Sequence, residues 1–333
     1  IHFRLIHLPV LVFLCLVLIS CGVNGSRSVS HDLSILSYNT HIGKGMDGVL
    51  NLERISSVIN NSGADLAGLQ ELDRFTKRCN EDQVAILASL TGMHAAFQKN
   101  LDYQGGEYGV AILSRWPILE ERNLHFPEIP EREPRGALAV KVAPPHFPES
   151  VWLVTTHLGT DETGAEQLSQ ARLLLEWIRD FSPGIVILCG DFNVTPESET
   201  VTLLARHFKD SGSSLPITES LTFNSVNPDR RIDYIFIPAD QPLFIKEARV
   251  IRTEASDHLP FFVDFVCIPT GGDNPCAMRE TVYENPRPPE KIPLITLATG
   301  LACRKVLHSR FQVEPRIKWP NDLFLDTKKI AGI

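Results

Sequence analysis

Acid, amide and imidazole side chains recur where the short apolar runs of this chain stop. Asn39 ends the run 33–39, Glu71 ends 65–71, and His157 ends 151–157. Asp191 and Asn193 follow 185–190, Asp233 lies inside Arg231-Ile-Asp-Tyr-Ile, and Asp257-His258 come just before Leu259-Pro-Phe-Phe. A single Asn or Asp after a strand is usually a turn residue, and a single His is usually structural. A series of strand ends carrying such groups is different. Carboxylates and amides offer hard oxygen ligands to a divalent cation. Imidazole and carboxylate can move protons near neutral pH. Together they suit hydrolysis at a metal-assisted centre. Asp191 and Asn193 stand two apart, so an extended chain would point both to one side.

The elements that must carry these groups are legible in outline. Apolar runs at 33–39, 65–71, 109–113, 136–142, 151–157, 185–190, 232–237 and 259–266 predict strands. Residues 52–59 place Leu52, Ile55, Val58 and Ile59 on one helical face. Residues 83–90 and 165–178 predict two more helices, the latter with Leu168, Ala171, Leu175 and Ile178 at helical spacing. Gly, Pro, Asn and Asp punctuate the joints. Strands joined partly by helices and partly by turns predict an α/β protein with mixed strand directions.

Composition bounds the partners. The chain has 333 residues, 43% hydrophobic and 22% charged, with net charge -8. This is a globular balance, and it excludes a disordered tail or a collagen-like repeat. No bulk basic field draws the chain to nucleic acid, so any phosphate must be held by a local site. Of the seven cysteines, Cys189 and Cys267 read as buried thiols and Cys79 lies in a polar stretch. No pair has the spacing of a zinc or redox motif.

The N-terminus reads as an address. His2 and Arg4 precede an apolar run at 8–19 and then Ser20-Cys21-Gly22, the pattern of a bacterial secretory signal. Leu18-Ile-Ser-Cys21 resembles a lipobox, which implies lipidation at Cys21 and a membrane tether. The expected location is the bacterial cell envelope or the secreted fraction. The start at Ile1 and the stop at Ile333 suggest a fragment.

The polar groups also fall into a known order. Tyr38-Asn39, Leu69-Gln-Glu71, Ile112-Leu-Ser-Arg115, Thr156-His-Leu158, Gly190-Asp-Phe-Asn193, Arg231-Ile-Asp-Tyr-Ile235 and Ser256-Asp-His-Leu-Pro260 run in sequence. This set resembles the endonuclease/exonuclease/phosphatase, or deoxyribonuclease I-like, superfamily over residues 33–266. The resemblance implies a four-layer α/β sandwich, two mixed sheets face to face with helices outside. It implies Asn39, Glu71 and Asp257 at the metal site, with Mg2+ or Mn2+ as cofactor. It implies His258 as catalytic histidine with Asp233 as its carboxylate partner. Asp191 matches the residue that aligns or deprotonates the attacking water, Asn193 its neighbour at the transition state, and His157 a second histidine on the phosphate. Arg135 matches a phosphate-facing position. Val110 stands where many relatives carry Asn, which puts a secondary polar contact in doubt.

The resemblance leaves the phosphoester open. Nucleic acid, a phospholipid headgroup as in sphingomyelinases, and a small phosphodiester all remain, as does a catalytically silent surface lipoprotein. A monomer is expected. The domain reading is a leader and linker at 1–31, a catalytic domain at 32–267, a Pro- and Gly-rich linker at 268–287 and a different segment at 288–333. In that segment an apolar helix is expected at 292–307. Lys318-Trp-Pro-Asn-Asp322 and Lys329-Ile-Ala-Gly-Ile333 resemble the central part of biotin protein ligase. This implies Asn321 and Asp322 near an adenylate and Lys329 against biotin, on an incomplete α+β piece. The family's glycine- and arginine-rich loop has no counterpart here, so the tail is expected to be an inactive remnant.

Overall fold

A computed structural model describes residues 31–145, 147, 149–181, 184–240 and 243–267, and the backbone of 316–318, 322–325 and 328–332. All but the last residue of the leader and linker expected at 1–31, Cys21 included, the helix expected at 292–307, and Asn321 lie outside the described residues. The chain divides into two compact units, Ile1–Ala277 and Met278–Ile333.

The first unit is built on two mixed sheets. Sheet one contains β1 (His31–Asn39), β2 (Leu66–Thr76), β3 (Cys79–Asp82), β4 (His94–Tyr103), β5 (Gly106–Ser114), β12 (Leu243–Val250) and β13 (Phe261–Cys267). Its order is β12-β13-β1-β2-β5-β4, with β3 beside β2. Sheet two runs β10-β11-β9-β8-β7-β6. These are β6 (Glu120–His125), β7 (Gly136–Val142), β8 (Val151–His157), β9 (Ile185–Asp191), β10 (Phe208–Asp210) and β11 (Asp233–Pro238).

Each sheet holds one parallel pair, β1 with β2 and β8 with β9. A parallel pair needs a crossover. Here the crossovers are helices α1 (Leu52–Ser62) and α3 (Ala165–Ile178). Local chemistry marks the helix ends. Asn51 accepts from the Arg54 N–H at the start of α1, and Asp82 from the Ala85 N–H at the start of α2 (Gln83–Thr91). Gly63 and Gly92 close the two helices in the left-handed conformation. Two short helices, α4 (Glu199–Leu204) and α5 (Ile217–Ser220), and a 3-10 turn at His41–Gly43 are the other helical elements among the described residues.

Three apolar cores separate four layers. Leu33, Ile35, Ile112, Val140, Leu153, Ile187 and Val263 fill the space between the sheets. Leu36, Leu69, Ile55 and Leu87 join sheet one to α1 and α2. Trp152, Leu188 and Phe236 join sheet two to Ala171, Leu174 and Ile178 of α3. Each fully buried side chain of this kind contributes about 2 kcal/mol. Val110 belongs to the inter-sheet core, which explains an apolar residue there. Cys79 is buried, as are Cys189 and Cys267.

Three long strands escape the pattern read from sequence. β4 turns Ala96, Gln98 and Asn100 inward, so its buried face is partly polar and shows no apolar alternation. β6 and β12 sit at sheet edges with exposed, charged faces. No helix of the described residues is long and apolar enough to cross a membrane. In the second unit Arg316–Lys318, Asp322–Leu325 and Lys328–Gly332 form a three-stranded antiparallel sheet.

Candidate active site

Strand register gathers half of the site. His157 on β8 stands beside Asp191 on β9, and Asp191 lies opposite Asp233 on β11. Three ionisable side chains thus form one row across sheet two. On sheet one Asn39 pairs with Gln70, and Glu71 is the next residue. Asp257 and His258 enter from the loop before β13. The carboxyl ends of both parallel pairs therefore meet at one end of the sandwich.

The sheets approach closely below this point. A Cβ on Gly68 would come within 2.4 Å of the Cys189 sulfur and 2.8 Å of the Thr155 hydroxyl, so only glycine fits. Gln70 Nε2 donates to Thr155 Oγ1 at 2.8 Å across the same gap. Higher up, Asn39 Nδ2 donates to Glu71 Oε1 at 3.1 Å and to Asp191 Oδ2 at 3.0 Å. Its Oδ1 accepts from the His41 N–H at 3.1 Å. Asn39 is therefore a strut that ties a carboxylate of one sheet to a carboxylate of the other.

Asp191 is the hub. Its Oδ2 lies 3.4 Å from His157 Nε2 and 3.5 Å from His258 Nε2. Its Oδ1 accepts from the Asn193 N–H at 3.0 Å. That bond closes a turn. Asn193 adopts φ 51, so the chain is not extended here and the two side chains do not simply share a side. Asn193 Nδ2 instead donates to the Leu158 carbonyl at 3.1 Å.

Burial and charge divide the two histidines. His258 Nδ1 donates to Asp233 Oδ2 at 3.0 Å, and Asp233 is fully buried. Burial alone would lower the His258 pKa, but Asp233 and Asp191 outweigh it and raise it to about 10. His157 Nδ1 accepts from Arg135 Nη1 at 2.9 Å, which leaves the proton on Nε2. Burial, then the nearby Arg135 and His258 charges, holds His157 well below the ordinary histidine range. Burial pushes Asp191 up to about 7, against the pull of His258. One charged and one neutral imidazole thus flank one carboxylate. The ligand atoms of Asp191, Asp233 and His258 lie within 4.8 Å of one another. They already face each other across His258, which makes them a proton-handling group.

Glu71 and Asp257 differ from these. Both are partly exposed. Glu71 Oε1 accepts from Asn39, and Asp257 Oδ1 lies 3.3 Å from Ser256 Oγ, whose proton points to the nearer Asn39 carbonyl. Among the described residues the second oxygen of each has no hydrogen-bond partner. Open carboxylate oxygens beside an amide are a donor set that fits a hard divalent cation. Glu71 sits at φ 58, a left-handed conformation that costs about 1 kcal/mol for a non-glycine residue. Thr40 Oγ1 donates to the Glu71 carbonyl at 2.9 Å and helps hold it there.

Several site residues went unpredicted. His41 adopts φ 46 and brings Nδ1 to 3.6 Å from Asp257 Oδ1. Its place two residues beyond Asn39 was the available signal. Ser256 Oγ donates to the Asn39 carbonyl at 2.8 Å and ties the Asp257 loop to β1. The Phe223 ring packs 4.8 Å from the His258 ring. Beside Glu71 and Arg135 lies a cavity of about 280 Å³, also lined by His41, Arg78, Tyr103, Tyr108 and Glu133. A larger hollow of about 920 Å³, beside α3 and the end of β11, holds none of the site residues.

Known proteins bear on this arrangement. Residues 36–258 match the Endonuclease/Exonuclease/phosphatase family. YbhP of Escherichia coli K12, itself described as uncharacterised, is 33% identical over 99 residues. That match covers 29% of this chain, and the chain spans only 38% of the length of YbhP. The crystal structure of an endonuclease/exonuclease/phosphatase from Beutenbergia cavernae superposes with TM-score 0.61 at 23% identity, covering 70% of this chain and 71% of that one. The mannosyl-6-phosphatase Bt3783 of Bacteroides thetaiotaomicron superposes with TM-score 0.59 at 18% identity, covering 70% and 99%. At these identities the structural likeness is one of fold.

Proposed function

This chain belongs to the endonuclease/exonuclease/phosphatase family, and on that premise we propose that it is a phosphoester hydrolase dependent on Mg2+ or Mn2+. The observation that best supports this reading is Asp191 Oδ2, held by Asn39 at 3.0 Å and faced by His157 at 3.4 Å and His258 at 3.5 Å. A water placed there meets a base, two imidazoles and the neighbouring open carboxylates at once.

The roles follow from the contacts. Glu71 and Asp257, with Asn39, would hold the cation, which when bound supplies positive charge to the phosphoryl oxygens. Asp191 takes the proton of the attacking water, its two oxygens aimed by Asn39 and the Asn193 N–H. His258, kept charged by Asp233, presents its Nε2–H to an oxygen that gains charge in the transition state. His157 offers an Nε2–H fixed in that tautomer by Arg135, whose own charge faces the phosphate. Asn193 is held in place by Leu158.

Hydrolysis of bis(p-nitrophenyl) phosphate tests the proposal. Turnover with Mg2+ that stops on adding EDTA and returns with excess Mg2+ is the expected result. No turnover of either this diester or the monoester p-nitrophenyl phosphate under any divalent cation would sink it and favour a silent binding protein. The sequence adds three proposals: export to the cell envelope, a lipid tether at Cys21, and a monomeric enzyme. Equal palmitate labelling of wild type and Cys21→Ala would refute the tether. The biotin-ligase-like tail, with Asn321, Asp322 and Lys329, is proposed as inactive, and ATP-dependent biotinylation of a carrier domain would overturn that.

A further inference from the structure

The cavity beside Glu71 has a wall that the hydrolytic chemistry does not use. It comes from two hairpin tips of sheet one. Arg78, between β2 and β3, donates through Nε to Asp73 Oδ2 at 2.6 Å and through Nη2 to Asp73 Oδ1 at 2.9 Å. Asp73 is fully buried, and Thr76 Oγ1 also donates to it at 2.8 Å. Such a bidentate pair holds the guanidinium plane rigidly. Its face lies 4.4 Å from the centre of the Tyr103 ring. Arg78 Nη1 has no hydrogen-bond partner among the described residues, and the residue lines the cavity.

The two tips lock each other. The Arg78 N–H donates to Gln104 Oε1 at 3.1 Å. A Cβ on Gly106 would meet the Arg74 carbonyl at 2.2 Å and Phe75 backbone at 2.4 Å. This explains the glycine that opens Gly106-Glu-Tyr-Gly109, a run that also delivers Tyr108 to the cavity. The wall is therefore preformed, which spares a ligand the cost of ordering it.

We infer that this cavity is the leaving-group subsite and takes a small, uncharged, polyhydroxylated group, a sugar or polyol ring bearing the phosphoester, with Arg78 as the residue that selects it. The inference rests on the proposed hydrolysis and names its substrate class. Charge bookkeeping favours it over a second phosphate. Arg78 is already paired with Asp73, and Arg135 with Glu133 at 2.7 Å. The carboxylates of Glu71 and Glu133 also line the space, so no surplus cation awaits an anion. The lining instead mixes donors and acceptors: guanidinium, phenol and carboxylate. Each hydroxyl of a polyol both donates and accepts, and matches such a set. The Tyr103 and Tyr108 rings, 6.4 Å apart, add apolar area to the lining. The volume holds roughly nine waters at ~30 Å³ each, which suits one ring with its hydroxyls and not a polymer.

The test compares phosphomonoesters that differ in the group bearing the phosphate, with two diesters beside them. With Mg2+, kcat/KM is measured for glucose 6-phosphate, myo-inositol 1-phosphate, phenyl phosphate and a decathymidylate, with bis(p-nitrophenyl) phosphate as a general probe. The expected result is at least a tenfold preference for a hydroxylated monoester over phenyl phosphate. Arg78→Ala should cut that ratio about tenfold, mainly through KM, and Arg78→Lys should not restore it, because an ammonium lacks the fork. Arg78→Ala strands the buried Asp73, so Tyr103→Phe, which removes one hydroxyl, is measured in parallel with thermal melting of all variants. A wild-type ratio near one, faster turnover of the decathymidylate, or a ratio unchanged in folded Arg78→Ala and Tyr103→Phe would each overturn the subsite while leaving hydrolysis standing. No turnover of any probe would overturn the hydrolysis itself, and the subsite with it.

Discussion

The two sheets offer acids to the same site in opposite states. The acids on the sheet-one side, Glu71 and Asp257, keep solvent contact, with the Asp257 side chain 29% exposed. Sheet two contributes Asp191 and Asp233, whose side chains are 2% and 1% exposed. The solvent-facing pair keeps open oxygens that a cation could take. The buried pair is packed against imidazole instead, Asp233 against His258 and Asp191 against both histidines. One residue type thus does two kinds of work, and the packing around each acid decides which. Asn39 and His258 belong to both halves, because Asn39 bonds Glu71 and Asp191 and His258 follows Asp257 in the chain while bonding Asp233.

The largest effects should come from the buried half. Asp191→Asn and His258→Gln are each expected to lower kcat about 10³-fold or more with circular dichroism unchanged. Activity within tenfold of wild type would erase the proton-handling role of that residue.

Glu71→Gln is expected to weaken the apparent Mg2+ affinity at least tenfold, recoverable at high Mg2+, whereas Asp233→Asn should leave that affinity alone and lower the plateau rate. Titration of rate against Mg2+ separates the two. The same response in both variants would mean that the halves are not distinct.

Asn39→Ala removes the strut between them. It should lower kcat about 10²-fold and also shift the Mg2+ midpoint. An effect on only one of these would place Asn39 in one half.

The smallest effect concerns His157. Its folded pKa is lowered, so at pH 6 its imidazole should remain neutral with the proton on Nε2, as 15N NMR would show. An unfolded histidine takes up a proton near 6.5, which the folded one refuses. Stability should therefore fall as pH drops through about 6.5. His157→Gln should flatten that limb of a melting-temperature profile, and an unchanged limb would argue against the lowered pKa.

How far the sequence carries can be judged element by element. The strands that bear the chemistry were legible because each is an apolar run buried on both faces and ends abruptly in a polar residue. β1, β8 and β9 are of this kind. β4 was not, because its buried face is partly polar: Gln98 Nε2 donates across the sheets to the Leu124 carbonyl at 2.7 Å and, within the strand, to Asn100 Oδ1 at 3.4 Å. The turn at Asn193 has no glycine to announce it; the Asn193 N–H bonds Asp191 Oδ1 at φ 51. Arg78, Tyr103 and Tyr108 carried no motif, since their meeting depends on two hairpin tips.

The sequence by itself determined which side chains stand at strand ends, in what order, and hence the family and the layered architecture. Periodicity and punctuation are local, and a chain records them directly. Only the tertiary structure decided that Asn39 reaches Asp191, 152 residues away, that Asn39 braces an acid of each sheet, and that one histidine is charged and the other neutral. Those outcomes depend on distance and desolvation across two packed sheets. Desolvation of a group is fixed by every neighbour that excludes water from it, and no local pattern of residues records that sum.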